Sequence, residues 1–272
     1  LFAIKYQEQR IVLSNLINSE SKILFNRNPR ERIAKVAPWL TLDGDPYPAI
    51  IDGKILWIID GYTTSAGYPN SRVVNLANTG DALTSRSNAV SSLDDRNVNY
   101  IRNSVKATVD AYDGTVSLYQ WDEKDPVLAT WSKAFPGTVK PRSEISAELL
   151  AHVRYPEDMF RVQRDILSAY HVTTADAFYG GQDFWRVPLD PSSFGANSGN
   201  QPPYYLTMQI PGQTKPTFSL YTPFVPRGGR ENLTALAVVN SDAGDEYGKI
   251  TVLQLPRSTN IAGPSQVSSN FE

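Results

Sequence analysis

The 272-residue chain contains no cysteine. That removes disulfides, thiolate metal sites and a cysteine nucleophile, while leaving the redox compartment open. Histidine is nearly absent as well: His152 and His171 are the only two. A zinc centre needs three or four His, Cys or carboxylate ligands. A Ser-His-Asp triad would have only these two bases, and no Gly-x-Ser-x-Gly elbow presents a serine to them. Charge of one sign is also missing. Twenty-six Lys and Arg oppose 28 Asp and Glu, giving a net charge of −2, so no sequence-wide basic field exists to gather nucleic acid. No stretch reaches the ~18 uninterrupted apolar residues of a membrane span. The opening Leu1-Phe2-Ala3-Ile4-Lys5-Tyr6 is neither an initiator Met nor a signal peptide, so a chain excised from something longer is expected.

What is present points to a sheet-containing globular fold. Fourteen Tyr and five Trp suit strands, and 19 Pro with 17 Gly imply many loops and few long helices. The Asp52-Gly53 and Asp113-Gly114 pairs each divide two apolar, β-branched stretches, residues 49–62 and 105–121. Each reads as a hairpin, and the shared turn chemistry suggests one antiparallel sheet. Four further strands are expected at 204–210, 217–224, 233–240 and 249–255, as a meander, with an unstructured tail from Pro256. Within residues 6–25, Ile11, Val12, Leu16 and Ile17 fit helical spacing while Ile23, Leu24 and Phe25 are ambiguous. Helices are expected from Pro29 with Asn28 as cap, and from Asp125-Pro126 to Phe135. Others follow from Ser143, with Ser143 and Ser146 as possible caps, and from Pro156. His152 then falls in mid-helix and His171 at a helix end. The polar run from Tyr68 to Arg96 reads as a long mobile insertion.

Few motifs carry chemistry. Ser19-Glu20-Ser21-Lys22 matches Ser-x-x-Lys, but no Lys-Thr-Gly element accompanies it. Arg227-Gly228-Gly229-Arg230 could cradle an anion, yet it lacks a phosphate-loop lysine and reads as a loop between strands. Asp242-Ala243-Gly244-Asp245-Glu246 lacks the EF-hand ligand order. Carboxylates cluster near the hairpins at Asp43, Asp45, Asp52, Asp60, Asp110 and Asp113. A pair of them could serve glycoside hydrolysis or hold Ca²⁺, although Asp-Gly alone is also a plain turn signal. The stretches Tyr62–Tyr68 and Trp185–Tyr205 place aromatics among Gly and Pro, a composition found in carbohydrate or peptide grooves.

Several longer runs together carry a family resemblance. They include Leu42-Asp43-Gly44-Asp45-Pro46-Tyr47-Pro48, Ile59-Asp60-Gly61-Tyr62-Thr63-Thr64-Ser65, Tyr100-Ile101-Arg102-Asn103-Ser104-Val105-Lys106, Arg154-Tyr155-Pro156-Glu157-Asp158 and Pro203-Tyr204-Tyr205-Leu206. On these the chain resembles uncharacterised protein family 0182 over nearly its whole length. The resemblance implies a large, mainly actinobacterial membrane protein, with a multi-spanning part followed by a soluble extracytoplasmic region to which this chain is similar. It implies no activity, cofactor or catalytic residue.

The expectation is therefore an α+β fold, largely antiparallel sheet with helices packed on one side, as one domain over 1–272 with an insertion near 70–96. Its expected role is an extracytoplasmic module that binds a ligand or partner in the cell envelope. The alternatives are a carboxylate-dependent hydrolase or transferase, or a structural scaffold. Asp43, Asp45, Asp60, Tyr62, Trp185 and Tyr204 are the candidate ligand-binding residues. No cofactor, metal or nucleic acid is expected. The expected partners are the membrane part of the same protein and an envelope glycan, lipid or protein.

Overall fold

Two sheets meet across a shared core, with helices against each. A computed structural model describes residues 26–76, 97–192, 199–256 and 258–271. The helical spacing read within 6–25, the Ser-x-x-Lys motif at 19–22 and most of the expected insertion lie outside the described residues.

The first sheet is built on the hairpin of β2 (Tyr47–Ile51) and β3 (Lys54–Ser65). Asp52 and Gly53 sit at φ 51° and 73°, the left-handed pair that a type I′ turn requires. A short β1 (Thr41–Leu42) continues the same edge of β3. On its other edge β3 pairs antiparallel with β6 (Tyr100–Asp110), followed by β7 (Val116–Gln120) and a parallel β8 (Val139–Lys140). The β6–β7 connection is wider than a type I′ turn. Asp110 Oδ1 accepts from Tyr112 N at 2.7 Å and Asp113 N at 3.3 Å, and only Gly114, at φ 75°, is left-handed. A carboxylate folded back on its own backbone sets this turn. A two-stranded piece, β4 (Val74–Asn75) with β5 (Asn97–Val98), stands apart.

Helix α1 (Pro29–Val36) starts as its sequence dictates: Asn28 Oδ1 accepts Arg30 N at 2.9 Å, and Pro29 takes the first position. Helix α2 (Pro126–Ala134) is capped by Asp125, which accepts Val127 N and Leu128 N. Ile33 of α1 and Leu128 of α2 pack with Ile59, Val105, Ala107 and Leu118 on one face of the sheet. The opposite face packs Ile51 and Ile58 against Leu149. Leu149 belongs to α3 (Ala147–His152). The α+β class holds, with helices on both faces of this first sheet. That is why Ile58 to Thr63 of β3 are buried without alternation. Ser146 caps α3 through Leu149 N at 3.1 Å, whereas Ser143 falls in a separate 3-10 turn, Arg142–Glu144. His152 is the last residue of α3 and not mid-helix.

The second sheet is the expected meander: β10 (Tyr204–Met208), β11 (Thr217–Pro226), β12 (Ala235–Asn240) and β13 (Ile250–Gln254). A short β9 (Trp185–Arg186) adds to the far end of β11. Leu220 and Phe224 of β11, with Ala235, Ala237 and Val239 of β12, line one face. Against it lies the apolar stripe of α4 (Glu157–Tyr170), at Met159, Phe160 and Val162. Tyr62 of the first sheet is buried in the same cluster, which joins the two sheets. A short α5 (Ala175–Tyr179) follows α4. The tail expected to be unstructured folds into α6 (Pro264–Ser269), because Pro264 presets its first turn and Gln266 Oε1 accepts Gly263 N at 3.1 Å. Gly263 is obligatory there, since a Cβ would lie 2.0 Å from the Glu231 carbonyl oxygen.

Candidate functional site

Four of the six candidate residues come together. Asp43 follows β1, and its backbone N–H donates to Asp60 O at 2.9 Å, drawing the two segments into contact. Tyr62 O–H donates to Asp43 Oδ2, which also accepts Asp158 N at 3.3 Å; Asp43 Oδ1 accepts Asp45 N at 2.8 Å. Asp158, in the first turn of α4, accepts Gly44 N at 2.8 Å. Asp60 is the cross-strand neighbour of Lys106, and the two form an ion pair with both side chains almost wholly buried. The Lys106 ammonium also donates to Arg154 O at 3.0 Å and Tyr247 Oη at 2.8 Å. It lies 5.1 Å from the Trp121 ring centroid. Arg154 closes the group, donating to Asp45 Oδ2 at 2.6 Å and stacking its guanidinium 3.9 Å from the Tyr47 centroid.

The electrostatics follow from burial. Desolvation raises the Asp60 carboxyl against the opposing pull of Lys106, and it lowers the Lys106 ammonium. Asp158 is pushed up to about 7, by burial first and by the Asp43 charge second. Asp45 and Glu157 are raised by burial too, and the Tyr62 and Tyr247 phenols lie well above their ordinary range. Perturbed carboxylates in a cluster are a catalytic signature only where a substrate can reach them. Here the carboxylates are held by internal donors: Tyr62, Gly44, Asp45 N, Asp158 N, Lys106 and Arg154. The group ties β1, β3, β6, α4 and the loop bearing Tyr247 into one unit, and none of the cavities of 580, 740 and 760 Å³ is lined by Asp43, Asp45 or Asp60.

Trp185 and Tyr204 stand elsewhere and do not join that cluster. Trp185 is buried, with its ring stacked on His171 at 3.4 Å between centroids. His171 caps the end of α4, and its two ring nitrogens meet Leu167 O at 2.8 Å and Asp183 O at 3.0 Å. Tyr204 lies at the start of β10, tilted on Tyr221. Tyr62 is likewise fully buried in β3, so two of the aromatics from the stretches read as grooves, Tyr62 and Trp185, are core, whereas Tyr68 and Tyr204 remain exposed.

Trp185 does mark a different feature. It borders a cavity of about 760 Å³ between α4, α5 and β9, whose lining includes Arg72, Arg161, Arg164, Arg186 and Arg227 with a single carboxylate, Asp165. Tyr170, Phe178 and Tyr179 supply an aromatic wall, and the Arg227 guanidinium lies 5.7 Å from the Phe184 ring centroid. Arg72 pairs loosely with Asp165 at 3.5 Å, Arg186 pairs with Glu231, and Arg161 pairs with Glu157 and Asp158. Arg164 donates to Gln201 O at 2.8 Å and Thr222 Oγ1 at 3.3 Å. Among the described residues Arg227 has no carboxylate partner. Sequence reading missed this cleft because its arginines come from five separated positions, each ordinary where it stands. The one signal was Arg227-Gly228-Gly229-Arg230, which is the loop between β11 and β12, with Gly228 and Gly229 at φ 107° and 87°. Among the described residues no group of three or more His, Asp or Glu is placed to hold a metal ion.

Comparison with known proteins is uniform. A model of the uncharacterised protein family UPF0182 matches residues 1–272. The chain belongs to the UPF0182 family. A UPF0182 protein of Thermobifida fusca (strain YX) is 57% identical over 274 residues, covering 100% of this chain and 27% of that protein. One from Streptomyces coelicolor is 53% identical over 274 residues, covering 99% of this chain and 27% of its own length. A third, from Bifidobacterium adolescentis, is 51% identical over 284 residues, at 100% and 26%. The chain thus spans roughly a quarter of the length of the curated relatives it matches. No solved structure matches it. Among the described residues no helix is long and apolar enough to cross a membrane.

Proposed function

We propose that this UPF0182 region is the recognition module of a larger cell-envelope protein, standing on the extracytoplasmic side of the membrane, and that its arginine cleft binds an anionic ligand. The observation that carries the reading is the lining of the 760 Å³ cavity: five arginines with one lining carboxylate, beside an aromatic wall. Arg161 and Arg164 are buried, Arg72 and Arg186 are paired, and Arg227 has no carboxylate partner among the described residues. Guanidinium forks match phosphate and carboxylate oxygens in bidentate fashion, and the volume falls in the range of small-molecule sites. The family resemblance supports the envelope placement, and the relatives' remaining length leaves room for a membrane-embedded part as partner.

The carboxylate-dependent hydrolase or transferase is read on Asp43, Asp45 and Asp60; beside Asp43 stands Asp158, raised to about 7, and the two make the nearest candidate pair. The internal donors that occupy this pair leave that reading the weaker one.

Thermal unfolding of the full chain tests the proposal, against inorganic phosphate, pyrophosphate, anionic and zwitterionic vesicles, neutral glycans and peptides at constant ionic strength. A ligand at 100 times its Kd adds about 2.7 kcal/mol. Anionic compounds should raise the midpoint and neutral ones should not. Arg227→Ala should lose about 1.5–3 kcal/mol of that binding, the worth of a hydrogen bond to a charged group. An absence of response to every anion would overturn the proposal.

A further inference from the structure

We infer that a second cavity, of about 740 Å³, is a saccharide subsite adjoining the arginine cleft, so that the ligand is a sugar carrying an anionic group; this rests on the recognition site proposed above. The two cavities share Phe184, Trp185 and Arg227 in their linings, so a ligand can touch both across one short wall. The linings differ in chemistry. Beyond the wall the lining carries one carboxylate, Asp183, and Arg230 at the loop, while its other polar side chains are neutral hydrogen-bonding groups: Asn232, Thr234, Gln254, Thr259 and Asn260. Among the described residues none of these five side chains has an internal hydrogen-bond partner. Thr234 Oγ1 is shielded and unbonded just behind the cavity surface, an unusual state for a buried hydroxyl. A planar amide presents one donor and one acceptor side by side, the pattern that adjacent sugar hydroxyls complement, and Phe184 stands in the wall the two cavities share.

The scaffold is rigid where this subsite needs it. Thr234 directly precedes β12 and Gln254 ends β13; Leu255 N donates to Thr234 O at 2.9 Å, fixing the two strands side by side. The segment carrying Thr259 and Asn260 is tied back by Leu233 N to Ile261 O at 2.8 Å and by the Asn232–Ala262 bridge. The β11–β12 loop brings Arg227 and Arg230 to the rim, where the anionic group of the sugar would sit.

The test is ligand-observed saturation-transfer NMR with calorimetry on the full chain. The probes are the anomeric phosphates of glucose, galactose, mannose and N-acetylglucosamine, the parent sugars, and inorganic phosphate. At least one sugar phosphate should bind about tenfold tighter than inorganic phosphate and than its own parent sugar. Asn232→Ala with Gln254→Leu should erase the advantage over phosphate while leaving phosphate affinity unchanged, and Arg227→Ala should weaken every phosphate. If phosphate binds as well as all four sugar phosphates, the saccharide subsite is wrong and the anion cleft stands. If parent sugars bind as well as their phosphates, the anionic requirement fails. If neither phosphate nor any sugar phosphate binds, both readings fall.

Discussion

Replacing Lys106 by Met should be among the most damaging single changes in this protein, and the reason lies in its partner. Lys106 is 1% exposed and Asp60 is 3% exposed, side by side on β6 and β3. Removing the ammonium leaves Asp60 buried without its counter-charge, and breaking a buried pair from one side costs about 3–5 kcal/mol. At about 2–4 °C per kcal/mol for chains of this size, the melting temperature should fall by roughly 10 °C. The loss should depend on pH in a known direction. Burial already holds the Asp60 carboxyl above its ordinary range, and losing Lys106 raises it further. A group raised in the folded state binds its proton better there than in the unfolded chain, so its contribution is retained at low pH and lost as pH rises through the folded value. The cost of Lys106→Met should therefore be smaller near about pH 5 than near about pH 8. The double variant Lys106→Met with Asp60→Leu should recover most of the loss, since Tyr247 still donates to Arg154 O at 3.1 Å and an apolar pair carries no desolvation penalty. Denaturant titration of the three variants at both pH values is the assay. A single-variant cost under about 1 kcal/mol, or a double variant no better than the single, would refute the reasoning.

Asp158, raised to about 7, has the same sign as Asp60: the native state holds its proton where the unfolded chain does not, so stability should fall as pH climbs from about 4 to about 7. Asp158→Asn should flatten that slope, keeping an acceptor for Gly44 N; an unchanged slope would remove Asp158 as its cause. Asp125 caps α2 while accepting Thr63, Ser104 and Tyr100 hydroxyls, each at 2.6 Å, so Asp125→Ala should cost about 3 kcal/mol or more in equilibrium unfolding. Gly263→Ala would press a methyl onto Glu231 O and should destabilise by about 1–3 kcal/mol; hydrogen exchange should show the C-terminal helix opening first.

The turns and ladders of this fold were legible because local chemistry decides them. Asp52-Gly53, Asn28-Pro29 and Asp125-Pro126 each act where they stand, and the closing meander follows from alternation and Gly-containing loops. The tail was misread because six residues of α6 have little propensity of their own, and Gly263 docks only against a carbonyl brought there by distant sequence. Asp43, Asp45, Asp60 and Tyr62 converge as their motif suggested, but their meaning depends on a face that no local pattern reveals. In Val105-Lys106-Ala107-Thr108-Val109 the alternation separates two faces without saying that Tyr247 and the Arg154 segment cover the polar one. Trp185 read as a groove residue because His171, its stacking partner, lies 14 positions away in sequence. The arginine cleft left no sequence trace beyond Arg227-Gly228-Gly229-Arg230, since strand pairing and α4 assemble it in space.

Where an anion binds can be read by backbone amide chemical-shift mapping with pyrophosphate at constant ionic strength. Saturable shifts are expected at residues 72, 161–165, 184–187 and 227–230, abolished in Arg227→Ala, with residues 43–45, 60–62 and 106 unmoved. Shifts centred on Asp43, Asp45, Asp60 and Lys106 instead, or shifts that never saturate, would contradict binding in the arginine cleft.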